Sequence, residues 1–158
     1  MQKDEIENLL SKDTACLENN NIESKTLNVL DELILEKADE YNVSEEAVNI
    51  YKKFQPMKQE APDSMKTVLF STIKNFANEE VKNNKCVSGL LLYRFLLVKS
   101  KFISDDFLNI AKLIAKIDIS NNLIKIFADN YLQKEENKLF GFIELAGFYK
   151  SILIINLQ

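Results

Sequence analysis

The sequence contains no histidine and no tryptophan, one arginine, three glycines, two prolines and two cysteines in 158 residues. Each shortage removes chemistry. Without histidine there is no Ser-His-Asp or Cys-His pair, no HExxH zinc site and no Glu-x-x-His di-iron bundle. With only Gly89, Gly141 and Gly147 there is no phosphate-cradling loop of either common type. Cys16 and Cys86 have no paired spacing, so they read as two free thiols in a reducing compartment and not as a zinc or disulfide framework. Cys86 opens a helix beside Lys85, but with no histidine base it is not read as a nucleophile. Leu9 and Leu10 stand alone among charged residues, so no signal-peptide core is expected at the N-terminus. The longest apolar stretches, 87–98 and 139–155, are interrupted by Arg94 and by Glu144 and Lys150. Spanning a bilayer takes roughly 20 largely apolar residues, so no membrane span is expected, and the location read from these features is cytoplasmic.

What is present is an acidic globular composition. Hydrophobic residues make up 46%, and 24 acids against 20 bases give a net charge of −4, which disfavours a broad phosphate-binding face while leaving a local one open. A chain this long buries roughly 70% of its unfolded surface without staples.

Helical periodicity dominates. Leu27, Leu30, Ile34, Ala38 and Tyr41 recur at three- and four-residue spacing over 23–41, and a weaker pattern with Ile6, Leu9, Leu10 and Leu17 precedes them. Ser44, followed by Glu45 and Glu46, predicts the start of a helix that ends near Gln55, before Pro56. Further helices are predicted at 63–82, 86–100, 104–116, 120–133 and 138–156, with Asp63, Ser104 and Ser120 as caps. No stretch alternates apolar and polar residues over strand length. The predicted fold is all-α: a single bundle of six to eight helices, with residues 1–55 as an N-terminal helical segment, 56–62 as a proline-containing linker and 63–158 as a C-terminal helical core. "VSGLLLYRF" from Val87 and "ISNNLIKIF" from Ile119 echo each other at a period of 32. The tryptophan and Leu-Gly pair of a TPR repeat are absent, so we read two similar amphipathic helices.

Three constellations stand out. Arg94, alone against nineteen lysines, sits in "GLLLYRFLLVKS", a helix apolar on nearly every side, so it must find a carboxylate or snorkel out along its stem. Glu144 is the candidate partner, being the one acid between Leu139 and Ile155, on a narrow stripe with Gly141, Gly147 and Ser151; the other readings are two unrelated charges that each reach solvent, and a pocket at Arg94 for an anionic or polar ligand. Phe140, Phe142, Phe148 and Tyr149 spread over more directions than one core face needs, which marks a partner or dimer surface. The segment "LEKADEYNVSEEAVNIYKKF", residues 35–54, resembles the helix-turn-helix pattern: Ala38 packs the first helix, Asn42 takes the turn position, Val43 is the apolar turn residue and Ser44 caps the second helix. That resemblance implies a DNA-facing helix carrying Ser44, Asn49, Lys52 and Lys53, with Lys58 near the backbone, but Glu45 and Glu46 occupy its early exposed positions. The carboxylate doublets diverge by about 100° on a helix and do not form sites by themselves.

No catalytic set, cofactor or metal is expected. The leading functional expectation is a non-catalytic helical module that binds a protein partner or itself, as an adaptor, chaperone, or immunity or antitoxin-like partner does. A helix-turn-helix DNA-binding regulator with a helical dimerisation or ligand-sensing domain is the second reading. A small-molecule or lipid-binding bundle is the third.

Overall fold

The computed structural model describes residues 2–13, 20–57 and 61–157. Cys16, Leu17 and Lys58 lie outside these residues. Among the described residues there are eight helices and no strand. They are α1 (Gln2–Ser11), α2 (Ser24–Tyr41), α3 (Glu45–Phe54), α4 (Asp63–Lys82), α5 (Cys86–Lys99), α6 (Ser104–Ile117), α7 (Leu123–Lys134) and α8 (Lys138–Leu157). None of the helices among the described residues is long and apolar enough to cross a membrane.

Asparagine takes over a task that glycine usually performs. Asn21, Asn42 and Asn84 are the described non-glycine residues at positive φ (54°, 42° and 63°), and each sits at a chain reversal next to a helix. Asparagine enters this region more readily than other side chains because its short amide bonds locally. The three glycines are all helical and none has positive φ. At Gly89 and Gly141 their use is close approach: a Cβ on Gly89 would lie 2.6 Å from Val81 Cγ2 and 3.2 Å from the Ala77 carbonyl oxygen, and one on Gly141 would lie 2.9 Å from Leu132 Cδ1.

The chain forms two compact units, Met1–Lys101 and Phe102–Gln158. The sequence reading places a boundary at the prolines and a core over 63–158. In the structure α5 gathers α2, α3 and α4 around it, so the proline stretch runs inside the first unit and the division falls after α5. Every residue of α5 from Val87 to Val98 is buried. Its polar side chains are therefore fully committed. The Ser88 hydroxyl accepts from the Ser44 amide at 2.8 Å, and the Tyr93 hydroxyl donates to Asn78 Oδ1 at 2.7 Å. Asn20 closes the far end, its amide donating to the carbonyls of Leu97 (2.6 Å) and Ser100 (2.8 Å). Ser44 caps α3 by accepting from the Ala47 amide, and its hydroxyl donates to the buried Glu80 at 2.6 Å.

In the second unit the most extensive contact is between α6 and α7, and α8 packs on α7. The buried face of α6 carries Phe107, Ile110, Ala111, Ile114 and Ile117, and that of α7 carries Leu123, Phe127 and Tyr131. The caps differ in detail from the sequence expectation. Asp106 accepts from the Ile103 amide at the start of α6, while Ser104 donates to Glu135. At α7 it is Asn121, and not Ser120, whose side chain accepts from the Leu123 amide.

Gly89→Ala tests the α4–α5 approach. Val81 is β-branched and stiff, so the new methyl cannot be accommodated by a rotamer change. We expect a loss of about 1–3 kcal/mol in urea unfolding, partly recovered when Val81→Ala removes the opposing methyl.

Candidate functional site

Arg94 is completely buried in the first unit, and all five of its N–H donors are used. Nε and one Nη2 hydrogen grip Asp31 in a bidentate fork, at 2.9 Å each. Nη1 donates to the Tyr51 hydroxyl at 2.7 Å and to the Asp13 carbonyl at 3.0 Å, and Nη2 donates to the Leu10 carbonyl at 3.2 Å. The two carbonyls lie at and just beyond the C-terminal end of α1, where orphan acceptors and the negative end of the helix dipole both favour a cation. Asp13, itself buried, accepts from Tyr51 at 2.8 Å, pairs with Lys99 at 2.9 Å and lies 3.7 Å from Arg94. Two cations and two carboxylates balance.

The electrostatics follow from that burial. Desolvation raises the Asp31 pKa above its ordinary value even with the guanidinium bonded to it, and Asp13 adds to the rise. Burial works against the charge on Arg94, but Tyr51 and Asp31 outweigh it and hold the pKa above its usual value. Burial pushes the Tyr51 hydroxyl well above 10. The cluster is a lock between α1, α2, α3 and α5, with no guanidinium N–H left over for a ligand. The buried ion pair expected at Arg94 is thus formed with Asp31 and Asp13. Glu144 belongs to α8 of the second unit and forms no salt bridge with a described residue.

Glu144 instead lines an open groove of about 820 Å³ within the second unit. One wall is the end of α6 and the residues after it (Lys112, Lys116, Ile117, Ile119); the other is α8, through Ile143, Glu144, Gly147, Phe148, Ser151, Ile152 and Ile155. The predicted stripe of small residues is divided by the packing. Gly141 is buried against α7, whereas a Cβ on Gly147 would meet no atom within 4 Å. Close to this wall, Tyr131 carries the one buried side-chain polar atom without a hydrogen-bond partner among the described residues. Burial, then the carboxylates of Glu135, Glu144 and Asp105, raise its pKa and keep it protonated.

Around the rest of α8 the apolar surface is open. Phe140, Phe142 and Tyr149 of the expected partner surface are exposed, but Phe148 is 7% exposed and belongs to the inner face, with its ring 5.5 Å from that of Tyr149. Leu139, Ile143, Leu153, Ile154 and Ile155 are also exposed, and they extend the open surface beyond the aromatics of the sequence reading to the aliphatic run "ILII". The eight open side chains are 37–72% exposed.

The helix-turn-helix-like corner is formed by α2, Asn42 at positive φ and α3. Three of its four expected DNA-facing residues have other engagements. Ser44 is bonded to Glu80, Lys52 pairs with Glu5 at 2.8 Å and Lys53 lies 5.4 Å from the Phe54 ring centroid, while Asn49, Glu45 and Glu46 are exposed. Among the described residues no group of three or more acidic or cysteine side chains is placed to hold a metal ion.

Arg94→Lys replaces a five-donor fork with one ammonium and should cost about 3–5 kcal/mol in urea unfolding, as breaking a buried pair does. Tyr51→Phe leaves Arg94 and Asp13 each short of a partner, for about 1–3 kcal/mol. Because the folded pKa of Tyr51 is raised, its contribution is complete below about pH 10 and is lost as pH climbs through the higher folded value. The alkaline decline in stability should therefore be shallower in Tyr51→Phe than in the parent. Comparison with known protein families, curated proteins and solved structures finds no match to this chain.

Proposed function

We propose that the chain is a non-catalytic helical protein-interaction module, of the kind that serves as an adaptor, chaperone, or immunity or antitoxin-like partner, and that α8 is its binding element. One observation carries this reading: a 20-residue helix with eight large apolar side chains 37–72% exposed, seated on one neighbouring helix and bordered by an open groove. Exposed apolar area costs roughly 25 cal/mol per Å², and a patch this extended on a monomer marks a contact surface. The closed hydrogen-bonding of Arg94 supports a structural role for the most unusual residue in the chain, in place of a ligand-binding one. The setting we propose is the cytoplasm, in keeping with two cysteines that lack disulfide spacing.

Photo-cross-linking in the source cell checks this. A benzophenone amino acid replacing Phe140 or Ile154, both exposed, should yield a discrete polypeptide adduct. An exposed position of the first unit such as Lys82 should not. If neither α8 position gives any polypeptide adduct, the reading fails.

A further inference from the structure

The open groove beside α8 is walled on one side by α8 itself, from Ile143 to Ile155. We propose that the occupant is α8 of a second copy of this chain, the two helices crossing antiparallel about a two-fold axis at Gly147. This rests on reading α8 as a binding element and adds the identity of the partner.

The argument is one of register. In an antiparallel pair with its axis at Gly147, a residue a given number of positions before Gly147 faces the residue the same number after it in the other copy. Glu144 then faces Lys150, and by symmetry Lys150 faces Glu144, so two ion pairs flank the axis. Within one helix these two charges cannot serve each other. They are six positions apart, beyond the three- and four-residue spacing at which helical neighbours meet. Neither forms a salt bridge with another described residue. At 100° per residue both fall within about 60° of Gly147, on the same face of α8.

The apolar residues obey the same symmetry. Phe140 faces Ile154 and Leu139 faces Ile155, all four exposed and all on the Gly147 side of the helix. At the axis, where two helices come closest, stands the one glycine whose missing Cβ is explained by no neighbour in its own chain. With Ile143, the five exposed apolar side chains of this face offer on the order of 450 Å². The charged pair, Ser151 and the α6 wall of the groove can supply the remainder of the roughly 800 Å² that each partner contributes to a standard interface.

The register makes an unusual prediction, testable on the intact chain by native mass spectrometry and sedimentation. The parent should be a dimer. Glu144→Lys places lysine opposite Lys150 twice, and Lys150→Glu places glutamate opposite Glu144 twice, so each variant alone should dissociate at least tenfold more readily. Mixed, with one isotopically labelled, they should pair one-to-one with parent-like affinity, because every facing pair is again of opposite sign. Gly147→Leu, which meets open space in its own chain, should weaken the dimer at least tenfold while leaving the circular dichroism and thermal transition of the monomer intact. A parent that is monomeric at about 100 µM overturns the proposal. So does a dimer indifferent to these charge reversals, or a mixture that fails to pair. If the parent is monomeric and Phe140 or Ile154 cross-links a different polypeptide or a lipid-sized species, the self-pairing is wrong on its own account, and the adduct's mass says which partner takes its place.

Discussion

One guanidinium organises the first unit. Arg94 ties the end of α1 to α2, α3 and α5 through five hydrogen bonds to three chain segments distant from it in sequence. Lysine could not do this, since a compact ammonium presents three donors and cannot form the planar fork that Asp31 receives. Desolvating an arginine is expensive, and an apolar residue of similar volume at this position could give an equally stable core. What the arginine adds is direction. An apolar side chain would tolerate several placements of α1, whereas the carbonyls of Leu10 and Asp13 and the carboxylate of Asp31 must lie where the fork points. The two ends of α5 are tied in the same manner, by Ser88 to the Ser44 amide and by Asn20 to the carbonyls of Leu97 and Ser100.

The helices were legible in the sequence because their signals are local. The stripe Leu27–Leu30–Ile34–Ala38 and the cap at Ser44 place α2 and α3 within a residue or two, and Asn42 reverses the chain at positive φ where a glycine would be expected. Local signals do not state which carboxylate a buried arginine will meet. Glu144 attracted attention because it is the lone acid in an apolar helix. The true partners, Asp31 and Asp13, look ordinary: one sits among the acids of α2 and the other follows α1 in a polar stretch. Their selection depends on how the N-terminal helices wrap α5, a property of the assembled unit. The division into units after α5 is not legible in local signals for a related reason. Prolines interrupt a helix without separating domains, and here the contacts of α3 with α5 span the interruption.

Two helices in this chain are apolar on nearly every side, and their fates differ. α5 is enclosed, and each polar group it carries is answered by a neighbour in its own unit. α8 has an even more apolar sequence, yet it leaves Glu144 and Lys150 without salt bridges to described residues and most of its large side chains open. Sequences with apolar character around the whole helix belong in interiors, because a helix in water needs only one stripe to hold it in place. The composition of α8 is therefore that of an interior helix, while its position is that of a surface helix.

That mismatch constrains what can cover α8. A bilayer would bury the aliphatic residues, but it would have to take Glu144 and Lys150 with them, at a cost of several kcal/mol for each unpaired charge. A wholly apolar partner surface would meet the same penalty. A suitable cover must present a cation opposite Glu144, an anion opposite Lys150, aliphatic or aromatic groups beyond each, and a close approach at Gly147. Read in reverse about Gly147, α8 meets all four requirements with its own side chains, because its two charges are of opposite sign and equidistant from that glycine. A helix complementary to itself in this way needs no second gene product to bury its Gly147 face.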